Sequence, residues 1–251
     1  MNLALVNLKA ITNTKMSSLL NDPMGQAILD FATTKENQDI TVISDICDDD
    51  IIPSAYLFRS FEEMPPLEKI ALANCKGKVL DVGAGAGIHA KYLKEKGFDV
   101  SCIDTSPRAV QHAKSIGLDA ERQNFFDVSE GNYDTLLFLM NGIGIARNLA
   151  NLEQTLVHAK FLLSENGKII CDSTDVKSLF EDDEGGTWID LTSAYYGNFK
   201  FQMKYGEHTS DWFEWLYVDF GNLKVTAEKV GFEVRLLAQE NDDYLAELRL
   251  S

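Results

Sequence analysis

The sequence predicts an α/β fold: a mostly parallel, doubly wound sheet of about seven strands, with helices over both faces. Three observations lead there. From Gly77 to about Thr174, short apolar runs alternate with stretches of helical period. A glycine loop, V-L-D-V-G-A-G-A-G over residues 79–87, stands where the first run ends and a helix begins. Single acids, Asp104 and Asp127, then follow the next two runs.

Residues 1–76 form an N-terminal extension that reads as mostly helical. Asp22-Pro23 supplies an N-cap and a first-turn proline, and Met24, Ala27, Ile28 and Phe31 follow at helical spacing. A second helix is expected over Pro66 to Asn74. Between them ITVISDI is a short extended segment, and Asp48, Asp49 and Asp50 make an acidic loop.

Residues 77–251 form the ligand-binding domain. KVLDV, DVSCID, AERQNF, YDTLLFLM and GKIICDST are expected as strands. KYLKEKG, AVQHAKSIG and LEQTLVHAKFLLSENG lie between them as helices, each ending near a glycine suited to a left-handed cap. After an acidic loop from Glu181 to Gly186, two aromatic-rich runs, YYGNFKFQMKY and DWFEWLYVDF, are joined by GEHTS. That pattern is a β-hairpin, inserted at about residues 193–219. A helix from about Asn222 to Val230 and two final strands, FEVRLLAQ and YLAELRL, complete the sheet. The extension and the hairpin are the stretches the core does not need, and together they are expected to cover the carboxyl edge of the sheet as a lid.

The chain has 251 residues, 45% hydrophobic and 25% charged, with a net charge of −16. Such a field repels phosphate backbones and anionic headgroups, so neither nucleic acid nor membrane is expected as a partner. No apolar run reaches the ~18 residues that span a bilayer. The first residues lack the pattern of a secretion signal, so a cytoplasmic location is expected. The four cysteines show no C-x-x-C spacing and the four histidines no metal-ligand spacing, so no metal is expected.

The glycine loop carries the strongest chemical signal. Gly83, Gly85 and Gly87 let the backbone approach a ligand, with Ala84 between them and a helix N-terminus beyond. The dinucleotide fingerprint G-x-G-x-x-G fails because Ile88 stands where its third glycine belongs, and no Gly-Lys-Ser/Thr follows for a P-loop. Asp81 brings a negative charge that suits the amine of an amino-acid-like ligand better than a pyrophosphate. Asp104, at the tip of the second strand beside Thr105, can accept both hydroxyls of a ribose. Asp127 can accept from the amine of adenine, with Phe126 or Phe125 beside the ring. An adenosine with an amino-acid tail fits S-adenosylmethionine.

On these residues the stretch 77–175 resembles the core of the class I, Rossmann-like S-adenosylmethionine-dependent methyltransferases. Asp81 to Gly87 is similar to the family's first motif, Asp104 to its ribose acid, Asp127 to its adenine acid, and Tyr133 to Gly144 to its fourth-strand segment. The resemblance implies a seven-stranded sheet with an antiparallel last strand and methyl transfer to an acceptor near Met140 and Asn141. Some relatives that methylate the amino groups of nucleobases carry Asn or Asp followed by Pro-Pro and an aromatic here, whereas this chain has Gly142-Ile143-Gly144, so that substrate class is not supported; acidic walls over the site would favour a neutral or cationic small molecule. Competing readings are a non-catalytic S-adenosylmethionine-binding regulator and an aminopropyltransferase; the paired acids of the latter have no counterpart at Asn141-Gly142.

Arg59 is expected either to pair with the methionine carboxylate of the cofactor or to bind Glu62 or Glu63. His89, one turn past the glycines, reads as a capping or surface residue. Tyr195, Tyr196, Tyr205 and Trp212 are candidates for the wall of an acceptor pocket, as are Trp215 and Tyr217. No residue identifies itself as a catalytic base.

Overall fold

The computed structural model describes residues 21–180 and 195–250. The acidic loop from Glu181 and the first two residues of the expected insertion lie outside the described residues.

The large sheet contains β3 (Lys78–Val82), β4 (Asp99–Asp104), β5 (Asp119–Arg122), β6 (Tyr133–Phe138), β7 (Leu163–Thr174), β11 (Phe232–Glu240) and β12 (Asp243–Leu250). Its order is β11-β12-β7-β6-β3-β4-β5. Strands β3 to β7 run parallel, and β12 lies antiparallel between β7 and β11. This is the predicted seven-stranded sheet with an antiparallel last strand.

Alternation along each strand feeds two cores. Leu80, Leu136, Phe138 and Ile169 meet Leu152, Leu156 and Leu162 of α5 (Leu149–Leu162) and Leu223 and Ala227 of α6 (Phe220–Val230). Val79, Leu137, Ile170 and Leu245 point to the other face. There they meet Leu67 and Leu72 of α2 (Pro66–Asn74), Ala90 and Leu93 of α3 (Ile88–Glu95) and Val110 of α4 (Pro107–Ser115). Each of these large aliphatics is worth about 1.5–3 kcal/mol when buried.

Local chemistry sets the helix ends. Asp22, Ser106, Asn148 and Asp219 each accept a backbone N–H in the first turn of α1 (Pro23–Thr34), α4, α5 and α6.

A second, antiparallel sheet joins distant parts of the chain. It has the order β10-β8-β1-β2, from β1 (Asp39–Ser44), β2 (Asp50–Pro53), β8 (Asn198–Tyr205) and β10 (Phe213–Leu216); β9 (His208–Thr209) adds to β8. Thr41 faces Lys204 and Ser44 faces Phe201 across the β1–β8 pair. The extension is therefore less helical than its sequence suggests. Its β-branched segment finds a strand partner over a hundred residues away, a pairing that local pattern cannot reveal.

Three boundaries also differ from expectation. β5 stops at Arg122 because the Asn124 side chain accepts from Phe126 N (3.0 Å) and turns residues 125–127 into a 3₁₀ segment. β6 stops at Phe138, since Met140 and Asn141 adopt φ of 58° and 56°. The LSENG segment, expected at the end of a helix, already belongs to β7, where the register against β6 shifts between Tyr133 and Thr135.

The small sheet meets the carboxyl edge of the large one. Asn141 Nδ2 donates to Leu216 O at 3.3 Å. A Cβ on Gly144 would lie 2.2 Å from Trp215 Nε1, so only glycine admits that indole. Beside it α1 packs on α4, and Ser106 Oγ donates to Asp22 Oδ2 at 2.8 Å.

Candidate functional site

Sheet order brings the chemistry-bearing residues into one row. Read from β5 through β4, β3 and β6 to β7, the carboxyl ends present Asp127, Asp104, Asp81 with its glycine loop, Met140 with Asn141, and Asp172. Neighbouring strands stand roughly 4.8 Å apart, so the row spans about 19 Å. Ligands of open α/β sheets bind at this edge, and the row crosses the point where the strand order reverses.

At the centre, Gly83 and Ala84 donate their N–H groups to Ile103 O at 2.9 and 3.2 Å, and Gly87 N closes a turn onto Ala84 O at 2.8 Å. Gly83 and Gly85 have φ of 73° and 55°, and nothing lies within 4 Å of where a Cβ would stand. The backbone is thus bare on the side a ligand would approach. Gly87 serves packing instead, because its Cβ would lie 2.6 Å from Leu118 Cδ1.

Asp104 is held by two backbone donors, Gly85 N to Oδ2 at 2.9 Å and Ser106 N to Oδ1 at 2.8 Å. Burial raises its carboxyl above the ordinary value against those donors. Each oxygen keeps a second lone pair for a ligand hydroxyl. Thr105 contributes its carbonyl to Arg122 Nε at 3.1 Å.

Asp81 is 2% exposed and its Oδ2 has no partner. Burial pushes the carboxyl up to about 6. A buried, unpaired carboxylate oxygen on the strand that leads into the glycine loop is costly unless a cationic or donor group completes it.

Asp127 is exposed beyond β5, and Phe126, 39% exposed, offers its ring beside it. Phe125 is buried against Phe138 and belongs to the core.

Arg59 and His89 meet through a residue the sequence reading passed over. Glu68 Oε1 pairs with Arg59 Nη2, and Glu68 Oε2 lies 2.8 Å from His89 Nε2. All three side chains are at most 6% exposed. Arg59 therefore takes neither Glu62 nor Glu63, and Glu63 instead closes a capping box with Ser60. Nor is His89 a surface or capping residue. Arg59 Nη1 also donates to Tyr56 O at 2.6 Å, and the guanidinium carbon lies 4.0 Å from the centroid of the Tyr56 ring. Arg59 Nε is buried with no partner, a donor left for a ligand beside the acceptor on Asp81. Burial pushes the Glu68 carboxyl up, but His89 and Arg59 outweigh it and hold it below the ordinary value.

At the far end of the row, Asp172 accepts from Asn141 N at 2.7 Å and Met140 N at 3.1 Å. These bonds explain how two non-glycine residues keep left-handed conformations. Burial raises the Asp172 carboxyl to about 7. The signal was available in KIICDST, an acid at the end of an apolar run as in DVSCID. Asn141 Oδ1 accepts from Ser173 Oγ at 2.7 Å.

The aromatic candidates divide. Tyr195 donates to Asp219 Oδ2 at 2.6 Å and Tyr196 to Asp175 Oδ1 at 2.8 Å, the latter just past β7. Trp215 and Tyr217 pack with Tyr196 around Phe199 and Phe201. Tyr205 is instead buried with Ala27, Ile28, Ile40 and Ala109, and Trp212 is 50% exposed. Among the described residues no cluster of His, Cys, Asp or Glu is suited to hold a metal, and no helix is long and apolar enough to cross a membrane.

Residues 55–237 match the methyltransferase-domain family. A crystal structure of an S-adenosylmethionine-dependent methyltransferase from Bacteroides fragilis, in complex with S-adenosyl-L-homocysteine, superposes with a TM-score of 0.86. It is 41% identical, covering 92% of this chain and 96% of that one. An uncharacterized methyltransferase of Staphylococcus carnosus is 27% identical over 195 residues, 76% of this chain and 85% of its own. A UPF0146 protein of Pyrococcus abyssi is 49% identical over 61 residues, 24% of this chain; the match spans about half of that protein, 47%.

Proposed function

We propose that this chain, which belongs to the methyltransferase-domain family and is a class I S-adenosylmethionine-dependent methyltransferase, methylates a small molecule held between the carboxyl edge of its large sheet and the small sheet beside it. The observation that carries this reading is the row of carboxyl ends. It supports an adenosine at β5 and β4, an amino-acid tail at β3, and an acceptor at β6 and β7.

In this reading Asp104 accepts the two ribose hydroxyls, and Asp127 and Phe126 take the adenine. Gly83, Ala84, Gly85 and Thr105 form the floor. The unpartnered Asp81 Oδ2 accepts from the cofactor's ammonium, and Arg59 Nε donates to its carboxylate. Each orphaned buried atom thereby gains a partner of the right sign. Met140 and Asn141 lie beside the reacting end.

When bound, the cofactor supplies an electrophilic methyl group on a sulfonium. The protein aligns the acceptor and keeps water out. The small sheet and α1 support the second task, because Leu216, Trp215 and Asp22 reach the carboxyl edge. We read residues 21–58 and 195–219 as a lid on the domain formed by the large sheet and its helices, α2 included. Tyr195 and Tyr196 serve as its inner wall, whereas Tyr205 and Trp212 act elsewhere. The net charge of −16 disfavours nucleic acid as acceptor.

The test is to incubate the protein with methyl-labelled cofactor and either a small-molecule filtrate or a fraction of protein and nucleic acid. Label entering the filtrate alone supports the reading. Label confined to the macromolecular fraction contradicts it.

A further inference from the structure

We infer that the acceptor is an amine that arrives as a cation, and that Asp172 holds it and takes the proton its nitrogen sheds. This rests on the cofactor reading above and adds the acceptor's chemical class and a residue acting on it.

Position supports it first. With the adenosine at β4 and β5 and the amino-acid tail at β3, the reacting end points along the row toward β6, and β7 is the next strand. Asp172 is fixed there by the Asn141 and Met140 amides, one to each oxygen, so each oxygen retains a lone pair. The second amide pins the carboxylate without discharging it.

The surrounding charge supports it next. Through space Glu68 on α2 raises the Asp172 carboxyl and His89 on α3 lowers it, and Asp172 and Asp243 raise the Tyr56 hydroxyl with Glu68 while Arg59 lowers it. Tyr217, on the small-sheet side, feels Asp50 and Asp243. Arg59 and Glu68 compensate each other, which leaves Asp172, Asp243 and Asp50. The acceptor side of the row is therefore rich in carboxylates.

Chemistry then selects the acceptor. Bringing an ammonium to a sulfonium sets two positive charges against each other, and a carboxylate beside them offsets that cost. The same carboxylates repel an acidic acceptor such as a carboxylate or phosphate. An alcohol would draw little from the cluster, since it carries no charge to pair. The ammonium first gives a proton to Asp172, which frees the nitrogen lone pair; that pair then forms the N–C bond while the S–C bond breaks and leaves its electron pair on sulfur, so the product amine is again a cation. Asp172 then releases that proton to solvent, with a carboxyl raised to about 7 suited to both holding and releasing it.

The experiment uses sinefungin, an analogue with an amine-bearing carbon in place of the methylsulfonium, and S-adenosylhomocysteine, which lacks that positive charge. Both are titrated into wild type, Asp172→Asn and Asp172→Ser. The wild type is expected to bind sinefungin at least tenfold more tightly than S-adenosylhomocysteine. Both variants should lose that preference while far-UV circular dichroism and the melting profile report an intact fold. A parallel panel of primary amines and matching alcohols, read as S-adenosylhomocysteine released, should yield turnover with amines. A sinefungin preference that survives in both variants, or turnover confined to alcohols, overturns the inference. Failure of the wild type to bind S-adenosylhomocysteine overturns the cofactor reading and this inference with it.

Discussion

Glu68 and His89 are joined by a buried 2.8 Å hydrogen bond that ties α2, outside the glycine-loop motif, to the first turn of the helix that follows the loop. The other oxygen of Glu68 holds Arg59, so one carboxylate compensates two basic groups in a site of low exposure. Removing one member of such a cluster leaves the others buried without compensation.

Glu68→Ala is therefore expected to destabilise the protein by about 3–5 kcal/mol, as breaking a buried pair does. The check is urea unfolding with a common slope for both proteins. Glu68→Gln, which keeps the shape and part of the hydrogen bonding, should lose less. The pH dependence follows from the direction of the shift. The folded Glu68 lies below its ordinary value of 4.5, so its contribution is complete above about pH 5 and is lost as pH falls through the lowered value. The stability gap between wild type and Glu68→Gln should narrow over that acid range.

Asp81 behaves with the opposite sign. Its folded value is raised from 3.8 to about 6, so the fold favours the protonated form, and the ionised carboxylate burdens the free protein as pH rises through that window. Asp81→Asn is expected to stabilise the free protein at pH 7 by on the order of 1–3 kcal/mol, and to leave it little changed at pH 4. The same variant should bind S-adenosylmethionine more weakly. Thermal unfolding at both pH values and one titration check this trade of stability for binding.

Gly85 separates the two properties in another way. Its φ of 55° makes alanine costly by roughly 1 kcal/mol, yet nothing lies within 4 Å of the added methyl. Gly85→Ala should unfold only slightly earlier than wild type while losing at least tenfold in cofactor affinity, because the methyl enters the space that the proposed site gives to the ligand. Calorimetric melting paired with titration measures both.

The core strands and helices were legible in the sequence because they follow from burial period and caps that act within a few residues. KVLDV and DVSCID match β3 and β4, and Pro66 to Asn74 matches α2. The second sheet was not legible as a unit. Its central pair joins Thr41 to Lys204, and the alternation in either segment identifies a strand but not its partner. The site shows the same limit. The glycine loop and Asp104 were readable because spacing along the chain fixes them. Glu68 was not, because on α2 it looks like one more acid in a helix, and only the fold brings it between Arg59 and His89. Asp172 shared the pattern that identified Asp104 and was passed over because no neighbouring motif drew attention to it.

The most direct test of the account is calorimetric titration of S-adenosylmethionine, S-adenosylhomocysteine and NAD into wild type and Asp104→Ala. Wild type is expected to bind the first two with micromolar affinity and not to bind NAD, and the variant to lose roughly 10- to 150-fold for the charge-assisted bonds removed. Equal affinity in the variant, or no binding of either adenosyl compound to folded wild type, would contradict it.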